Sequence, residues 1–386
     1  MTENDKIVIT ELNNKIILCH IKNDKAVDIF IYQNIVEDFP IGTIVNGVIE
    51  KRLEGIDASF VRYNSKSTGY INGDFKCGTI IPVMYKKERI GKKNPLFTDK
   101  ISVSGIYAVV FDDQPYLKVS SKISKEKSKE LRNKYIHIAY EYNVGILLRT
   151  ACEDVHTSEC DIISDEIINL CKIINKIKKD SPQRVAYSQL YRPSPQLVMD
   201  CMEFIKKGVN EIISDNQEVY DLLSDSFDNE LYNMHNNINI RYYNDSLLPL
   251  AKLYSFESKL SEATSRIVYL KSGANITFDQ TEALMAIDIN SASAKYKKDR
   301  ESSILEINKE AFCEIARQLR LRNIAGIIII DFINMKMDES YDLLSEHINR
   351  ILKNDRVTCN YHGFTKLGLA EISRQKERTT LFEQLR

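Results

Sequence analysis

Two acidic residues close the most apolar stretches in the last third of the chain. Asp288 lies in ALMAIDIN, residues 283–290, with Asn290 two positions later, and Asp331 ends the isoleucine run of GIIIIDFIN, residues 326–334. Side chains two positions apart on a strand point to the same face, so Asp288 and Asn290 share one side of a sheet. Two carboxylates with an amide oxygen nearby form a hard, oxygen-only set of the kind that Mg²⁺ prefers. A metal ion held this way can activate water and stabilise charge on a phosphodiester.

The segment between the two strands predicts one helix over roughly residues 302–322, capped by Ser302 or Ser303. Its apolar face is formed by Ile304, Ile307, Ala311, Ile315 and Leu319. Strand, helix and buried strand make a βαβ unit with parallel, neighbouring strands. Both acids then lie toward the carboxyl ends of strands about 4.8 Å apart, where open α/β sheets bind ligands. A simpler alternative stays open, in which each acid caps the following helix or pairs with a lysine.

Bulk properties narrow the class of protein. At roughly 150 residues per domain, a chain of 386 residues is long enough for two or three cores. Its net charge of −1 argues against uniform electrostatic binding of nucleic acid but allows local basic patches. The cysteines are scattered without a Cys-x-x-Cys pair, which predicts reduced thiols in a cytoplasmic protein. We expect no signal peptide, because the N-terminal MTENDKIVIT has no positively charged start followed by an apolar stretch. We expect no transmembrane helix, because no apolar run approaches about 18 residues.

The first half of the chain predicts several small modules. Residues 6–33 alternate short apolar runs with polar turns, which favours an antiparallel sheet. Glycine-punctuated strands follow, as in a small barrel. Residues 121–140 are helical in composition, residues 144–150 read as a strand, and prolines between 181 and 195 indicate a boundary.

Three long motifs resemble the ribonuclease E/G family. They are TEALMAIDINSASA, EIARQLRLRNIAGIIIIDFINM and LGLAEISRQKER, and the resemblance is dense from about Leu270 to Arg378. It implies that Asp288 and Asp331 coordinate a catalytic Mg²⁺, with Mn²⁺ as an alternative. It also implies that Asn290 orients the attacking water or the scissile phosphate.

The same resemblance assigns a pocket for the 5′ end of RNA. LLRTA matches the family's 5′-sensing segment, so Arg149 and Thr150 would grip a 5′-monophosphate and Val109 would line the pocket. A guanidinium offers fork-shaped donors to phosphate, and a hydroxyl adds another. From the residues alone, Arg149 would be an ordinary arginine at a strand end.

Three further positions match RNA contacts of the family. Phe60 and Tyr70 would stack on a base, as flat aromatic rings on a barrel surface do. The alternative for Phe60 is a place in the barrel core. Lys93, in the basic loop YKKERIGKKNP, would contact the RNA backbone, although a lysine in a charged run is more often solvated.

The implied fold class is a mixed α+β and α/β chain with several subdomains. An RNase H-like subdomain would receive an inserted OB-fold barrel and 5′-sensor region, and a DNase I-like catalytic subdomain would follow. The expected boundaries are 1–40 and 196–265 for the RNase H-like parts, 41–120 for the barrel, 121–195 for the sensor region and 266–386 for the catalytic subdomain.

The chain also departs from the family pattern. Asn334 stands where the family has a second acid, and Ser293 where a basic residue follows DINSA. The Cys-x-x-Cys zinc link is missing and the sequence stops soon after SRQKER, so we expect no structural zinc, no small C-terminal domain, and either a monomer or a homodimer without a zinc link. Degradosome-like protein partners stay open.

The functional prediction is a Mg²⁺-dependent, single-strand-specific endoribonuclease that leaves 5′-phosphate ends. It would cleave A/U-rich RNA, respond to a 5′-monophosphate, and act in rRNA and tRNA processing and mRNA decay, without a membrane partner. Two rival functions are kept. One is a non-catalytic RNA-binding paralogue, and the other is a metal-dependent phosphohydrolase with a substrate smaller than RNA.

Overall fold

The computed structural model describes residues 5–37, 39–53, 55, 57–87, 94–153, 155, 160–228, 238–291 and 300–385. It forms two compact units. The first unit comprises residues 1–35, 204–224 and 237–386, and the second comprises residues 36–203 and 225–236. The two candidate metal-binding acids therefore lie in the first unit, and the residues matched to RNA contacts lie in the second.

The strands and helices are as follows. The strands are β1 (Asp5–Leu12), β2 (Lys15–Lys22), β3 (Lys25–Tyr32), β4 (Ile44–Arg52), β5 (Ala58–Arg62), β6 (Thr68–Asn72), β7 (Ile80–Lys87), β8 (Leu96–Thr98), β9 (Ser102–Ser104), β10 (Ala108–Phe111), β11 (Tyr116–Val119), β12 (Gly145–Leu148), β13 (Gln189–Tyr191), β14 (Glu211–Ser214), β15 (Asn239–Tyr242), β16 (Ile267–Tyr269), β17 (Asn275–Gln280), β18 (Leu284–Asn290), β19 (Gly326–Asp331), β20 (Cys359–Phe364) and β21 (Leu369–Arg374). The α-helices are α1 (Lys125–Tyr142), α2 (Cys160–Asp180), α3 (Gln196–Lys206), α4 (Gln217–Asp228), α5 (Leu250–Leu253), α6 (Phe256–Thr264), α7 (Arg300–Leu321), α8 (Asp338–Leu352) and α9 (Leu381–Leu385). In the described part of the chain, 3₁₀ turns span Thr150–Cys152 and Ser181–Gln183.

A six-stranded sheet in the first unit carries the candidate acids. Its spatial order is β16-β17-β18-β19-β21-β20. Strands β18 and β19 are parallel neighbours, as the sequence predicted, and α7 connects them. Alternate side chains of these strands enter one core with α7 and α8, for example Ile287, Ile330 and Phe312. The opposite alternation leaves Asp288 and Asp331 on the exposed face of the same sheet.

The second sheet of the first unit has the order β15-β14-β1-β2-β3. Strands β1, β2 and β3 are antiparallel, which confirms the sheet predicted over residues 6–33. Leu321, the last residue of α7, and Leu381 of α9 are buried in the core of this sheet. Helix α7, which follows Asp288 in the chain, therefore packs into the cores of both sheets and is held in place by both.

The second unit contains a closed barrel. Five strands in the order β4-β5-β6-β8-β7 close through pairing of β4 with β7, and β13 adds to β4. Its core includes Val61, Ile71 and Phe97. Gly69 has no space for a side chain, because a Cβ atom there would overlap the Phe97 ring. A five-stranded closed barrel within a mixed α and β chain agrees with the predicted OB-like module.

A smaller four-stranded sheet of the second unit has the order β11-β12-β10-β9. Helices α1 and α2 pack beside it. This region corresponds to the helix predicted over residues 121–140 and the strand predicted over residues 144–150, and it holds the candidate 5′-end residues. Within the described ranges, each helix is too short or too polar to cross a lipid bilayer.

Candidate functional site

The structure brings Asp288 and Asp331 together. They are direct partners in the parallel register of β18 and β19, and Asp288 is flanked on its other side by Thr277 of β17. Both side chains are exposed, and the Nδ2 atom of Asn290 donates a hydrogen bond to Oδ2 of Asp288 over 2.6 Å. Desolvation and the neighbouring charge of Asp288 raise the pKa of the Asp331 carboxyl. The two carboxylates therefore repel each other, and a shared cation would relieve that repulsion.

The acids open into a polar cleft. It is lined by Asp288, Ile289, Asn290, Ser291, Arg300, Ile304, Asp331, Phe332, Ile333 and Asn334. Two carboxylates and two amides supply hard oxygen donors, which fit a Mg²⁺ ion better than a soft metal. Among the described residues, no group of three or more histidines, cysteines or acids is placed to hold a metal ion.

The simpler alternative for the two acids finds no support in the described part of the chain. There, neither carboxylate forms an ion pair with a lysine, and Asp288 is instead bonded to Asn290. Asp331 does not cap α8, whose N-cap residue is Met337 and which has no side-chain cap hydrogen bond. The residues directly before Arg300 of α7 lie outside the described ranges, so the capping alternative for Asp288 stays open. The basic loop AKYKKDR, residues 294–300, is described only at Arg300, and Ser293 also lies outside the described residues.

A buried asparagine holds the loop that follows Asp331. The Nδ2 atom of Asn308 donates to the Ile333 carbonyl over 2.9 Å, and the Ile333 N–H donates to Oδ1 of Asn308 over 3.1 Å. Asn308 is fully buried on α7. Sequence reasoning missed it, although an asparagine between Ile304 and Ala311 on an apolar helix face was a usable signal.

A carboxylate holds the same loop further along. Oε1 of Glu301 accepts hydrogen bonds from the N–H groups of Lys336 (2.9 Å) and Met337 (3.1 Å). The bond from Met337, with that from Lys336, keeps the pKa of Glu301 below its usual value. The residues around Asn334 are therefore fixed at both ends of the loop, by Asn308 and by Glu301.

Two arginines of the second motif, Arg317 and Arg322, are held by neighbouring groups. Arg317 forms ion pairs with Glu314 (2.6 Å) and Glu262. Arg322, by contrast, is buried, donates to the Gln318 side chain over 2.7 Å, and lies 4.4 Å from the Phe278 ring. Desolvation, with the charge of Arg317, lowers the pKa of Arg322 to about 10. These side chains hold α7 in place rather than reaching the cleft.

The candidate 5′-end residues lie at one end of the four-stranded sheet. Val109 on β10 pairs with Leu147 on β12, and Arg149 lies two residues after Leu147, just beyond the end of the strand. Arg149 and Thr150 are exposed, while Val109 is partly buried. The hydroxyl groups of Thr150 and Ser120 are 3.0 Å apart. The structure thus gathers an arginine, two hydroxyl groups and an apolar side chain, a set suited to a phosphate at a chain end.

The two barrel aromatics form a cross-strand pair. Phe60 on β5 is the register partner of Tyr70 on β6, and their ring centroids are 6.5 Å apart in an edge-to-face arrangement. Both rings are partly exposed, and they alternate with the core residues Val61 and Ile71. The core alternative for Phe60 is therefore wrong. Lys93 lies outside the described residues.

Comparison with known proteins gives the class. The profile of the ribonuclease E/G family matches residues 102–377. The chain is 31% identical over 360 residues to a putative ribonuclease E of Buchnera aphidicola subsp. Baizongia pistaciae, covering 86% of this chain and 85% of that protein. It is 28% identical to ribonuclease E of Escherichia coli (strain K12), over 88% of this chain and 34% of that protein. It is 27% identical to ribonuclease G of the same strain, over 88% of this chain and 74% of that protein.

The chain therefore belongs to the ribonuclease E/G family, and the predicted enzyme class, an endoribonuclease, is confirmed. It spans about a third of the length of the Escherichia coli ribonuclease E that it matches. The matched range includes both candidate acids, Asn290, Arg149, Thr150 and Val109, whereas Phe60 and Tyr70 precede it.

Proposed function

We propose that this protein hydrolyses single-stranded RNA at internal phosphodiester bonds in a Mg²⁺-dependent reaction that leaves 5′-phosphate and 3′-hydroxyl ends. The observation that carries the proposal is the pairing of Asp288 with Asp331 in adjacent parallel strands at an open polar cleft. A/U-rich sites and RNAs with a 5′-monophosphate would be preferred. Processing of rRNA and tRNA and decay of mRNA are the corresponding cellular roles.

Three residues of the cleft would take part in this reaction. Asp288 and Asp331 would hold the metal ion, with Mn²⁺ as an alternative to Mg²⁺. When bound, the ion would supply Lewis-acid stabilisation of the phosphodiester and activation of a water molecule. Asn290 donates its amide N–H to Asp288, which leaves its Oδ1 oxygen as an acceptor to orient a water molecule at the scissile phosphate.

RNA binding would be divided between two further places in the second unit. Phe60 and Tyr70 would stack on a base, which contributes affinity without strong sequence selection. Lys93 would contact the backbone, and Arg149, Thr150 and Val109 would hold the 5′-monophosphate. By the same proposal, the five-strand sheet of the first unit is the RNase H-like subdomain, and the six-stranded sheet with α7 and α8 is the DNase I-like subdomain.

One observation favours a non-catalytic RNA-binding paralogue as a second candidate. Asn334 lines the cleft beside Asp288 and Asp331, where the family pattern has an acid. A neutral amide weakens the negative field that attracts a divalent cation. Retention of both acids at the cleft argues for catalysis, because these two carboxylates repel each other and gain nothing structural from their proximity.

The experiment is a gel assay with purified protein and a short A/U-rich single-stranded RNA. The RNA carries a 5′-monophosphate or a 5′-hydroxyl, and the buffer contains Mg²⁺ or EDTA. We expect cleavage only with Mg²⁺ and faster cleavage of the monophosphorylated RNA. Binding without cleavage in every lane would favour the non-catalytic paralogue. Inhibition of cleavage by a mononucleotide at substrate-like concentrations would point to a phosphohydrolase for smaller substrates.

A further inference from the structure

A buried glutamate of the second unit binds the loop beneath Arg149. Glu166 on α2 is 6% exposed, and its carboxylate accepts three backbone N–H groups. Oε2 accepts from Ile106 over 2.9 Å, and Oε1 accepts from Tyr107 over 2.5 Å and Ala108 over 3.0 Å. A carboxylate taken out of water is costly unless its oxygens are bonded, and these three bonds satisfy it.

Arg149 binds the other side of the same loop. Its NH1 atom donates to the Gly105 carbonyl over 2.7 Å, and its backbone N–H donates to the Tyr107 carbonyl over 2.7 Å. The Sγ–H of Cys152 also donates to the Tyr107 carbonyl over 3.3 Å. The guanidinium is therefore anchored by one of its N–H groups, and its remaining donors are left for a ligand.

The two residues are connected through single peptide groups. The Gly105 carbonyl and the Ile106 N–H belong to one peptide plane, so Arg149 bonds its oxygen while Glu166 bonds its nitrogen. The Tyr107 carbonyl and the Ala108 N–H are joined in the same way. Hydrogen bonds in such a chain polarise one another, and each peptide plane can satisfy both partners in only one orientation.

Gly105 permits this close approach. A Cβ atom at position 105 would lie 2.6 Å from the Cδ atom of Glu166, closer than carbon atoms pack. A side chain there would push the carboxylate away from the three N–H groups. The loop sequence and the glutamate are thus matched to each other.

We propose that Glu166 is a positioning residue for 5′-end recognition: by fixing the 105–108 loop it orients the guanidinium of Arg149 toward a 5′-monophosphate. This inference rests on the proposed function, in which Arg149 binds the 5′ end. Glu166 itself does not touch RNA. It acts on the selectivity between 5′ ends rather than on the cleft at Asp288 and Asp331.

The test compares binding of two RNA oligonucleotides with the same sequence, one with a 5′-monophosphate and one with a 5′-hydroxyl. Fluorescence anisotropy in EDTA measures binding without cleavage. The selectivity ratio is the dissociation constant of the 5′-hydroxyl RNA divided by that of the 5′-monophosphate RNA. In Glu166→Gln one oxygen becomes an N–H donor that faces a backbone N–H. We expect the ratio to fall by about threefold to tenfold, the effect of one lost or misdirected hydrogen bond. Asp165→Asn is the matched control, since it removes the same charge from the exposed position next to Glu166.

A double variant separates positioning from a merely structural role. In the Arg149→Ala background, Glu166→Gln should have no further effect on the ratio, whereas a general loss of folded protein would lower binding of both RNAs. Gly105→Ala is a second variant for the same test in case Glu166→Gln folds poorly. Its added Cβ atom displaces the Glu166 carboxylate, so it should cause the same loss of selectivity.

The outcomes are distinct. A wild-type protein that binds both RNAs equally would overturn the proposed 5′-end function and this inference with it. A wild-type preference that is lost in Arg149→Ala but kept in Glu166→Gln and Gly105→Ala would overturn the inference alone.

Discussion

The candidate catalytic cleft and the proposed 5′-end pocket place their polar side chains differently on their strands. Asp288 and Asp331 lie within β18 and β19, each with a paired strand on both sides. Arg149 lies one residue beyond β12, and Thr150 begins a 3₁₀ turn. The backbone of the acids is held by strand pairing on both sides. The Arg149 N–H instead donates to the Tyr107 carbonyl of the 105–108 loop, whose own N–H groups donate to the Glu166 carboxylate.

Both sites nevertheless use one polar side chain from a helix to hold a loop. In the cleft, the neutral amide of Asn308 bonds Ile333, the second residue after Asp331. In the pocket, the carboxylate of Glu166 accepts hydrogen bonds from N–H groups of the loop whose Gly105 carbonyl accepts from Arg149. We call Asn308 and Glu166 the loop clamps of the two sites. The amide of Asn308 both donates and accepts, whereas the carboxylate of Glu166 accepts from three backbone N–H groups.

The largest effect should come from the strand-borne acids. We expect Asp288→Asn or Asp331→Asn to reduce cleavage by roughly 10³-fold or more, because the metal loses a charged ligand. RNA binding in EDTA should be unchanged. Rates come from the gel assay with Mg²⁺, and Asp279→Asn on neighbouring β17, which breaks only an exposed ion pair with Arg266, is the control. Cleavage at the parent rate in both variants would remove these acids from the site.

The second-largest effect should come from Asn308, which holds the loop that follows Asp331. Asn308→Ala leaves the Ile333 N–H and carbonyl without their partner, so we expect unfolding to become easier by about 1–3 kcal/mol. Cleavage should fall by roughly 10- to 100-fold, the usual effect of removing a supporting hydrogen bond near a metal site. Thermal unfolding and the rate at saturating Mg²⁺ measure the two effects. Lys309→Ala, which removes an ion pair with Glu306 at the next position of α7, should change neither. A destabilised variant with normal cleavage per folded molecule would limit Asn308 to folding.

Loss of Arg149 in the proposed 5′-end pocket should reduce overall turnover less than the changes in the cleft do. We expect Arg149→Ala to reduce the rate ratio between 5′-monophosphate and 5′-hydroxyl RNA by roughly tenfold, because the guanidinium donors to phosphate are gone. The rate on 5′-hydroxyl RNA should stay near that of the parent. Arg132→Ala removes another exposed arginine of the same unit and is the control. If Arg149→Ala still distinguishes the two RNAs, the pocket lies elsewhere.

The smallest effect should come from restoring an acid to the cleft. Asn334→Asp adds a negative charge to the lining shared with Asp288 and Asp331. We expect the Mg²⁺ concentration for half-maximal cleavage to fall by about twofold to threefold, since an exposed charge several ångströms away acts through water. Titration of the cleavage rate with Mg²⁺ measures it. Asn334→Gln keeps the amide and should not lower this Mg²⁺ concentration. A higher Mg²⁺ concentration for half-maximal cleavage in Asn334→Asp would contradict the prediction and would mean that the loop held by Asn308 does not tolerate an added charge.

Much of the catalytic sheet followed from the sequence. The apolar runs that end at Asp288 and Asp331, with the apolar stripe of α7 between them, predict a βαβ unit, and that unit makes the two acids neighbours. Local pattern was sufficient for the order of these elements. The unbroken isoleucine run of β19 shows no alternation, so only the folded sheet decided that Ile328 and Ile330 are buried and Ile327 is exposed. The sequence left open which side of the barrel the Phe60 ring occupies, because a phenylalanine on a strand fits a core as well as a surface. The pairing with Tyr70 in the barrel decided that the ring lies on the outer face.

The hydrogen bonds by which Asn308 and Glu166 hold their loops were decided by tertiary structure. Asn308 and Ile333 are 25 residues apart, and Glu166 lies about 60 residues from the loop that it binds. No local pattern connects such residues, because the hydrogen bonds form only after helices have packed on their sheets. The sequence by itself determined the family, the two acids and the strands that carry them, since these depend on local periodicity and long motifs. The fold decided which buried polar side chains hold the loops beside those residues, because each needs a partner that water cannot supply.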